Sequence, residues 1–244
     1  MSTSRITQAM ILAAGKGTRL RPLTLETPKP LVEVAGQPLI VWHIKALQAA
    51  GITDITINAS WLADKLMSTL GDGAQYGVKL HWSVEDDEPL ETAGGIFQAL
   101  QTAKLRDEPF ILVNSDVWTT YDFTQLQDYT LGADQCAHLL LIDNPAHNSG
   151  GDFAINNGLA SEQAVGDAGK YTFAGISVMS PRLVDGLVSG QPAALAPLLK
   201  QAMLKFQITA DVIADKWVDV GTPERLTQVN EFIESHGATG HLGA

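Results

Sequence analysis

Short apolar runs and helix-spaced apolar residues take turns along the first half of this chain. Residues 9–14, "AMILAA", form a continuous apolar run that stops at a glycine, the pattern of a strand buried on both faces. Residues 38–50 carry Leu39, Trp42, Leu47 and Ala50 near helical spacing, with Pro38 suited to a first turn and Gly51 to a stop. Residues 52–58, "ITDITIN", alternate as a strand, 61–70 read as a helix closed by Gly71, and 78–84 as a further strand. Residues 92–103 read as a helix. Residues 110–113, "FILV", are a buried strand that ends at Asn114, Ser115 and Asp116. This alternation predicts an α/β fold, a mostly parallel sheet with helices on both faces.

The second half follows another pattern. Strands are expected at 139–142 and 171–179 between Gly- and Asn-rich turns, and helices at 195–206 and 223–234. The end of the chain, 235–244, is Gly- and His-rich and is expected to fray. No internal repeat or low-complexity linker interrupts the sequence. The expectation is a single domain over 1–235, with a parallel half (1–120), a smaller mixed half (121–235) and a flexible tail (236–244).

Composition narrows the function classes. The 244 residues are 45% hydrophobic and 18% charged, which is ordinary for a globular protein with a sizeable core. A net charge of −11 makes nucleic acid a poor partner. One cysteine, Cys136, excludes an intrachain disulfide and a cysteine zinc cluster. No apolar run approaches the roughly 18 residues of a membrane span. Residues 1–8 lack the apolar core of a signal peptide, so a cytoplasmic location is expected. The six histidines show no paired metal-ligand spacing, and His43 reads as packing on its helix.

The densest chemical signal is "LAAGKGTRLRP" at 12–22, followed by Pro28-Lys29-Pro30. A strand running into Gly-x-Gly lets backbone N–H groups approach an anion with no Cβ in the way. Lys16, Arg19 and Arg21 add cations to the same loop, and two prolines stiffen the backbone around Lys29. A lone Gly-x-Gly would be a surface turn; this combination points to a polyphosphate. The loop is not a P-loop, since Gly-x4-Gly-Lys-Ser/Thr is absent, and it lacks the third glycine of the dinucleotide fingerprint. Asp116 follows an apolar strand, where open α/β sheets bind ligands, and Asp219 follows the apolar start of "WVDVGT". Read locally, each is as well explained as a turn aspartate.

The segment "LAAGKGTRLRPLTLETPKPL" (12–31) resembles, without a gap, the signature of the sugar-1-phosphate nucleotidyltransferases. "AGQPLI" (35–40), "PLETAGGI" (89–96), "VNSDVWTTYDF" (113–123), "DNPAHNSGGDF" (143–153), "FAGISV" (173–178) and "WVDVGTPERL" (217–226) extend the resemblance over nearly the whole chain. It implies a Rossmann-like fold whose first half binds the nucleotide and whose second half binds the sugar. It implies transfer of a uridylyl group from UTP to a sugar 1-phosphate, with N-acetylmuramic acid 1-phosphate of cell-wall recycling favoured as acceptor. It implies Mg²⁺ on Asp116 and Asp219. Arg19 and Lys29 would be catalytic, and Ala14, Gly15, Gly17, Thr18 and Gly94 would join them in binding the nucleotide. Asn114, Asp152, Glu162 and Gly175 would bind the sugar.

In one place the sequence departs from the family pattern. Gln163 stands where a lysine after Glu162 typically grips the sugar phosphate, with Lys170 a candidate replacement. Glu91 suits two adjacent donors on guanine, so the local residues leave GTP open beside UTP. Glucose, N-acetylglucosamine and mannose 1-phosphates stay open as acceptors, as does a catalytically silent nucleotide-sugar sensor. A monomer or small homo-oligomer is expected.

Overall fold

The computed structural model of the chain describes residues 5–86, 88–164, 166 and 169–237. The first half contains β1 (Gln8–Leu12), a small hairpin of β2 (Glu33–Val34) and β3 (Gln37–Pro38), α1 (Leu39–Ala49), β4 (Asp54–Ala59) and α2 (Ala63–Leu70). It continues with β5 (Lys79–Val84), α3 (Glu91–Gln101), β6 (Phe110–Asn114) and β7 (Val117–Thr119). The second half contains α4 (Thr124–Gln127), β8 (Ala137–Ile142), β9 (Ala154–Asn156), β10 (Leu159–Ser161) and β11 (Thr172–Met179). It ends with α5 (Leu195–Leu204), β12 (Ile208–Val212), β13 (Trp217–Asp219) and α6 (Pro223–His236).

One sheet of nine strands crosses both halves, in the order β5-β4-β1-β6-β11-β8-β12-β10-β9. β5, β4, β1 and β6 run parallel, and β11 joins β6 antiparallel. Side-chain alternation explains the layers. Ala9 and Ile11 of β1, with Ile111 and Val113 of β6, pack into a cluster that takes Ile40, Ile44 and Leu47 from α1 and Leu66 and Leu70 from α2. Met10, Phe110 and Leu112 face the other way, onto Ile96 and Ala99 of α3 and Leu195 and Leu199 of α5. A strand buried on both faces has no polar side, which is why β1 and β6 read as unbroken apolar runs. Each such Ile or Leu contributes roughly 1.5–3 kcal/mol by leaving water. A third cluster sets Trp118 of β7 and Val218 of β13 against Val229 and Ile233 of α6.

The expected α/β architecture, with helices on both faces of a mostly parallel sheet, is present. The long elements fall where periodicity places them, while the shortest strands, the hairpin and α4 carry no periodic signal. α6 runs to His236, the first residue of the expected tail, and 238–244 lie outside the described residues. His43 is packing, as expected: it is buried and its Nε2 lies 2.6 Å from the Val117 carbonyl. Among the described residues, no helix is long and apolar enough to cross a membrane.

Candidate active site

The order in which strands are added reverses at β1. The chain leaves β1 for β4 and β5 on one side, and β6 closes up on the other. Ligands bind at such switch points, outside the carboxyl ends of the strands. The register places Leu12 opposite both Asn58 and Asn114, so an asparagine stands at or next to the carboxyl end of each neighbouring strand. Asn58 Oδ1 accepts from the Ala13 N–H at 2.8 Å, which pins the start of the glycine loop to β4.

The loop that follows walls a cavity of about 370 Å³. Ala14, Gly15, Gly17, Thr18, Arg19 and Lys29 all line it, with Asn114 and Asp116. Gly17 has φ +60°, and a Cβ there would stand 2.9 Å from Lys29 Cβ and 3.0 Å from Thr24 Cγ2. Only glycine combines that backbone with that approach. Buried Thr24 ties the fold down by donating to the Gly17 carbonyl at 2.8 Å. Trp61 Nε1 in turn donates to the Thr24 carbonyl at 3.0 Å. Gly15 meets nothing within 4 Å and faces open space. Lys29, only 9% exposed, begins a tight turn between its prolines and donates to Asp116 Oδ2 at 2.7 Å.

β7 and β13 bring the two aspartates together. Asp219 pairs with Val117, and the Val220 N–H donates to the Asp116 carbonyl at 2.7 Å. Both aspartates line a third, smaller cavity with Asn114, Asp152 and Gly175. Asp219 Oδ2 accepts from Arg225 Nη1, and the same Nη1 lies 2.9 Å from His147 Nε2. A ring nitrogen that accepts from arginine has no proton to give. Asp219 Oδ1, 3.2 Å from that nitrogen, accordingly has no hydrogen-bond donor although it is buried. Gly221 is the floor of this cluster: a Cβ on it would meet Arg225 Nη2 at 2.6 Å and Arg19 Nη2 at 3.0 Å.

The sequence expectations meet the geometry unevenly. Asn114 and Gly175 are brought into contact, since a Cβ on Gly175 (φ +71°) would stand 2.7 Å from Asn114 Nδ2. Asp152 lines a second large cavity, of about 790 Å³, as well as the third. Its oxygens hold the loop: Oδ2 accepts from the Phe173 N–H at 2.8 Å and Oδ1 from Asn148 Nδ2 at 3.1 Å. Gly94 lies in α3 with Gln191 O and Ala193 N within 3.2 Å of where a Cβ would be, so its missing side chain admits the 191–193 segment. The Ala93 and Gly94 N–H groups are spent on the Ala193 carbonyl. Glu162 lines none of the three cavities, and its carboxylate accepts from Lys200 Nζ of α5 at 2.7 Å.

Several cavity residues escaped the sequence reading. Asn58 and buried Glu85 join by a 2.6 Å hydrogen bond in the first cavity, and Glu85 also accepts from the Leu90 N–H. Burial raises the Glu85 pKa. A Cβ on Gly95 would stand 2.6 Å from Glu85 Oε1, so Gly95, not Gly94, is the close-approach glycine there. Glu91, which the sequence singles out for guanine, lines the first and second cavities with a positive φ of 58°, a conformation that costs a non-glycine residue of order 1 kcal/mol or more. Arg225 and His147 surround Asp219. The one available clue was that Asn58 and Asn114 each close an apolar strand.

A glycine loop at the switch point of a parallel sheet, two cations and two converging carboxylates define a nucleotidyltransferase site. The chain belongs to the nucleotidyl transferase family, whose model matches residues 8–149. It is 44% identical over 223 residues to the N-acetylmuramate alpha-1-phosphate uridylyltransferase of Neisseria meningitidis serogroup B, covering 91% of this chain and 96% of that one. It is 35% identical to the mannose-1-phosphate guanyltransferase of Candida albicans, covering 89% of this chain but 62% of that longer protein. The fold is shared with the inositol-1-phosphate CTP transferase of T. maritima at a TM-score of 0.75 and 18% identity, over 96% of this chain and 98% of that one.

Proposed function

We propose that the chain transfers a uridylyl group from UTP to N-acetylmuramic acid 1-phosphate, giving UDP-N-acetylmuramic acid and pyrophosphate. The observation that carries this reading is the 44% identity to the Neisseria enzyme, which extends over 91% of this chain and 96% of that one. A phosphate oxygen of the acceptor attacks the α-phosphorus of UTP, and the bond to pyrophosphate breaks. That oxygen is already ionised at neutral pH, so the site has positioning and charge neutralisation to supply, with no general base.

In this reading the first cavity holds the triphosphate. Backbone around Ala14, Gly15, Gly17 and Thr18, with Arg19, takes the departing pyrophosphate, and Lys29 offsets charge on the α-phosphate. Asn114, Gly175 and Asp152 border the acceptor. The donor set suits Mg²⁺: two carboxylates from converging strands, one with a buried oxygen lacking a donor, leave positions for phosphate oxygens and water. Asp116 and Asp219 would hold the ion, which supplies charge neutralisation between the phosphates. No group of three or more His, Cys, Asp or Glu forms a closed metal cage among the described residues. UTP, the sugar 1-phosphate and Mg²⁺ are then the small-molecule partners, and the cytoplasm, where UTP is made, is the compartment.

A pyrophosphate-release assay with UTP, GTP and dTTP against muramate, N-acetylglucosamine, glucose and mannose 1-phosphates tests the reading. The expected best pair is UTP with N-acetylmuramic acid 1-phosphate. A tenfold higher kcat/KM for another sugar would overturn the acceptor, and no pyrophosphate from any pair would leave a silent nucleotide-sugar sensor.

A further inference from the structure

We propose that the second cavity carries an anion subsite, formed by Lys170, Lys200 and the first turn of α5, that receives a carboxylate borne by the acceptor sugar away from its phosphate. This rests on the reading of the acceptor as a sugar 1-phosphate and specifies which part of it the protein selects.

The first observation is where charge stands. The chain has 16 basic residues against 27 acidic ones, and two lysines from distant segments line this one cavity; of the carboxylates that line it too, Asp152 is held by the Phe173 N–H and Asn148, and Glu91 lies at the wall shared with the first cavity. Both are held in place. Lys200 is clamped by Glu162, whose carboxyl is drawn below its ordinary pKa first by the Lys200 hydrogen bond and more weakly by the charge of Lys170. One carboxylate therefore feels both cations. Lys170 is fixed through its backbone: its carbonyl accepts from Asn144 Nδ2 at 2.9 Å, and Gly151 at φ +63° packs so closely that a Cβ would meet Lys170 Cβ at 2.8 Å.

The second observation is independent of the lysines. Ala194, Leu195 and Ala196, the start of α5, also line the cavity. No side chain caps this ten-residue helix, and its first turn holds no acidic residue. Its N-terminal N–H groups and dipole add to the field of the two ammonium groups.

Topology separates this subsite from the reacting phosphates. The first and second cavities share Glu91, Thr92 and Asn114, while Lys170, Lys200 and the α5 residues line only the second. A phosphate that reaches the α-phosphorus lies at the shared wall. The cations beyond that wall then meet whatever projects from the rest of the sugar. A neutral sugar has no use for them. A sugar with a lactyl ether ending in a carboxylate does, because a charge drawn into a half-enclosed cavity of an acidic protein needs a partner.

The test compares two acceptors that differ only in that lactyl group, N-acetylmuramic acid 1-phosphate and N-acetylglucosamine 1-phosphate. kcat/KM with UTP is measured for both, alongside calorimetric binding of each, in the wild type, Lys170→Gln, Lys200→Gln, the double variant and Lys200→Arg. The muramate-to-glucosamine ratio should fall by roughly fivefold to tenfold in each glutamine variant and by more in the double, with most of the change in KM. Lys200→Arg should hold most of the ratio. Added salt should lower the wild-type ratio towards that of the double variant. An unchanged ratio, or equal losses with both acceptors, overturns the subsite; equal losses would place the lysines on the shared phosphate. Lysine-dependent muramate binding without transfer would overturn the proposed reaction and keep the subsite, and no muramate preference in the wild type would overturn both.

Discussion

The two large cavities are built in opposite ways. Half of the residues lining the first cavity come from 12–30, one stretch of chain shaped by backbone conformation, prolines and buried Thr24. The second cavity is assembled from four separate stretches, around 91, 114, 151–173 and 194–200, and its chemistry sits on side chains. Backbone sites tolerate little change because each residue fixes its neighbours. Side-chain sites are altered one residue at a time. On the proposed reading, common chemistry belongs in the first cavity and acceptor choice in the second.

The sharpest way to break this contrast is at the carboxylates between them. Asp116→Asn and Asp219→Asn should each lower turnover by roughly 10²–10³, the scale of one electrostatic contact to developing charge. Unfolding midpoints checked alongside should show the fold intact; near-normal turnover at low Mg²⁺ would remove that residue from the site. Lys29→Ala should lower kcat by roughly 10–10² and change KM for UTP less, because its contact strengthens as charge builds on the α-phosphate. Steady-state kinetics that show only a raised KM would reassign it to uniform binding.

Backbone tests come next. Gly17→Ala should destabilise the protein by about 1–3 kcal/mol in urea unfolding, since it adds strain at φ +60° and a clash with Lys29. Gly15→Ala, with open space around it, should stay within about 0.5 kcal/mol and show its effect in KM for UTP. Equal stabilities would mean that the loop is not backbone-determined. The smallest effect is expected at Glu91. Glu91→Gly relieves a positive φ and should raise stability by roughly 1 kcal/mol while lowering kcat/KM. A variant that gains stability with full activity would show that the wall does not need the carboxylate.

What the sequence made legible follows the same division. The loop from Leu12 to Leu31 could be read because its parts are adjacent, and the apolar runs of β1 and β6 because burial on both faces leaves no polar position. The pairing of 117–119 with 217–219 could not be read, since three-residue strands have no period and their partners lie a hundred residues apart. Arg225 reaches Asp219 from the first turn of α6 and His147 from a distant loop, and neither spacing carries a signal. Glu85 was hidden in an acidic run that reads as a solvated loop, although its carboxylate is buried against Asn58. Gly94 and Glu162 were placed by family resemblance alone; in the structure Gly94 packs against Ala193 and Glu162 pairs with Lys200.

The wall of Glu91, Thr92 and Asn114 common to both cavities has a consequence for rate. Two polyanions that meet in water must find each other, shed hydration and align against mutual repulsion. Set on either side of one wall, they react as parts of a single molecule, at an effective concentration that free solutes cannot reach. Good intramolecular alignment is worth up to about 7–11 kcal/mol of barrier. On the proposed reading much of the acceleration would come from that adjacency, so a substitution that thickened the wall by one methyl group would slow the reaction without touching a charge.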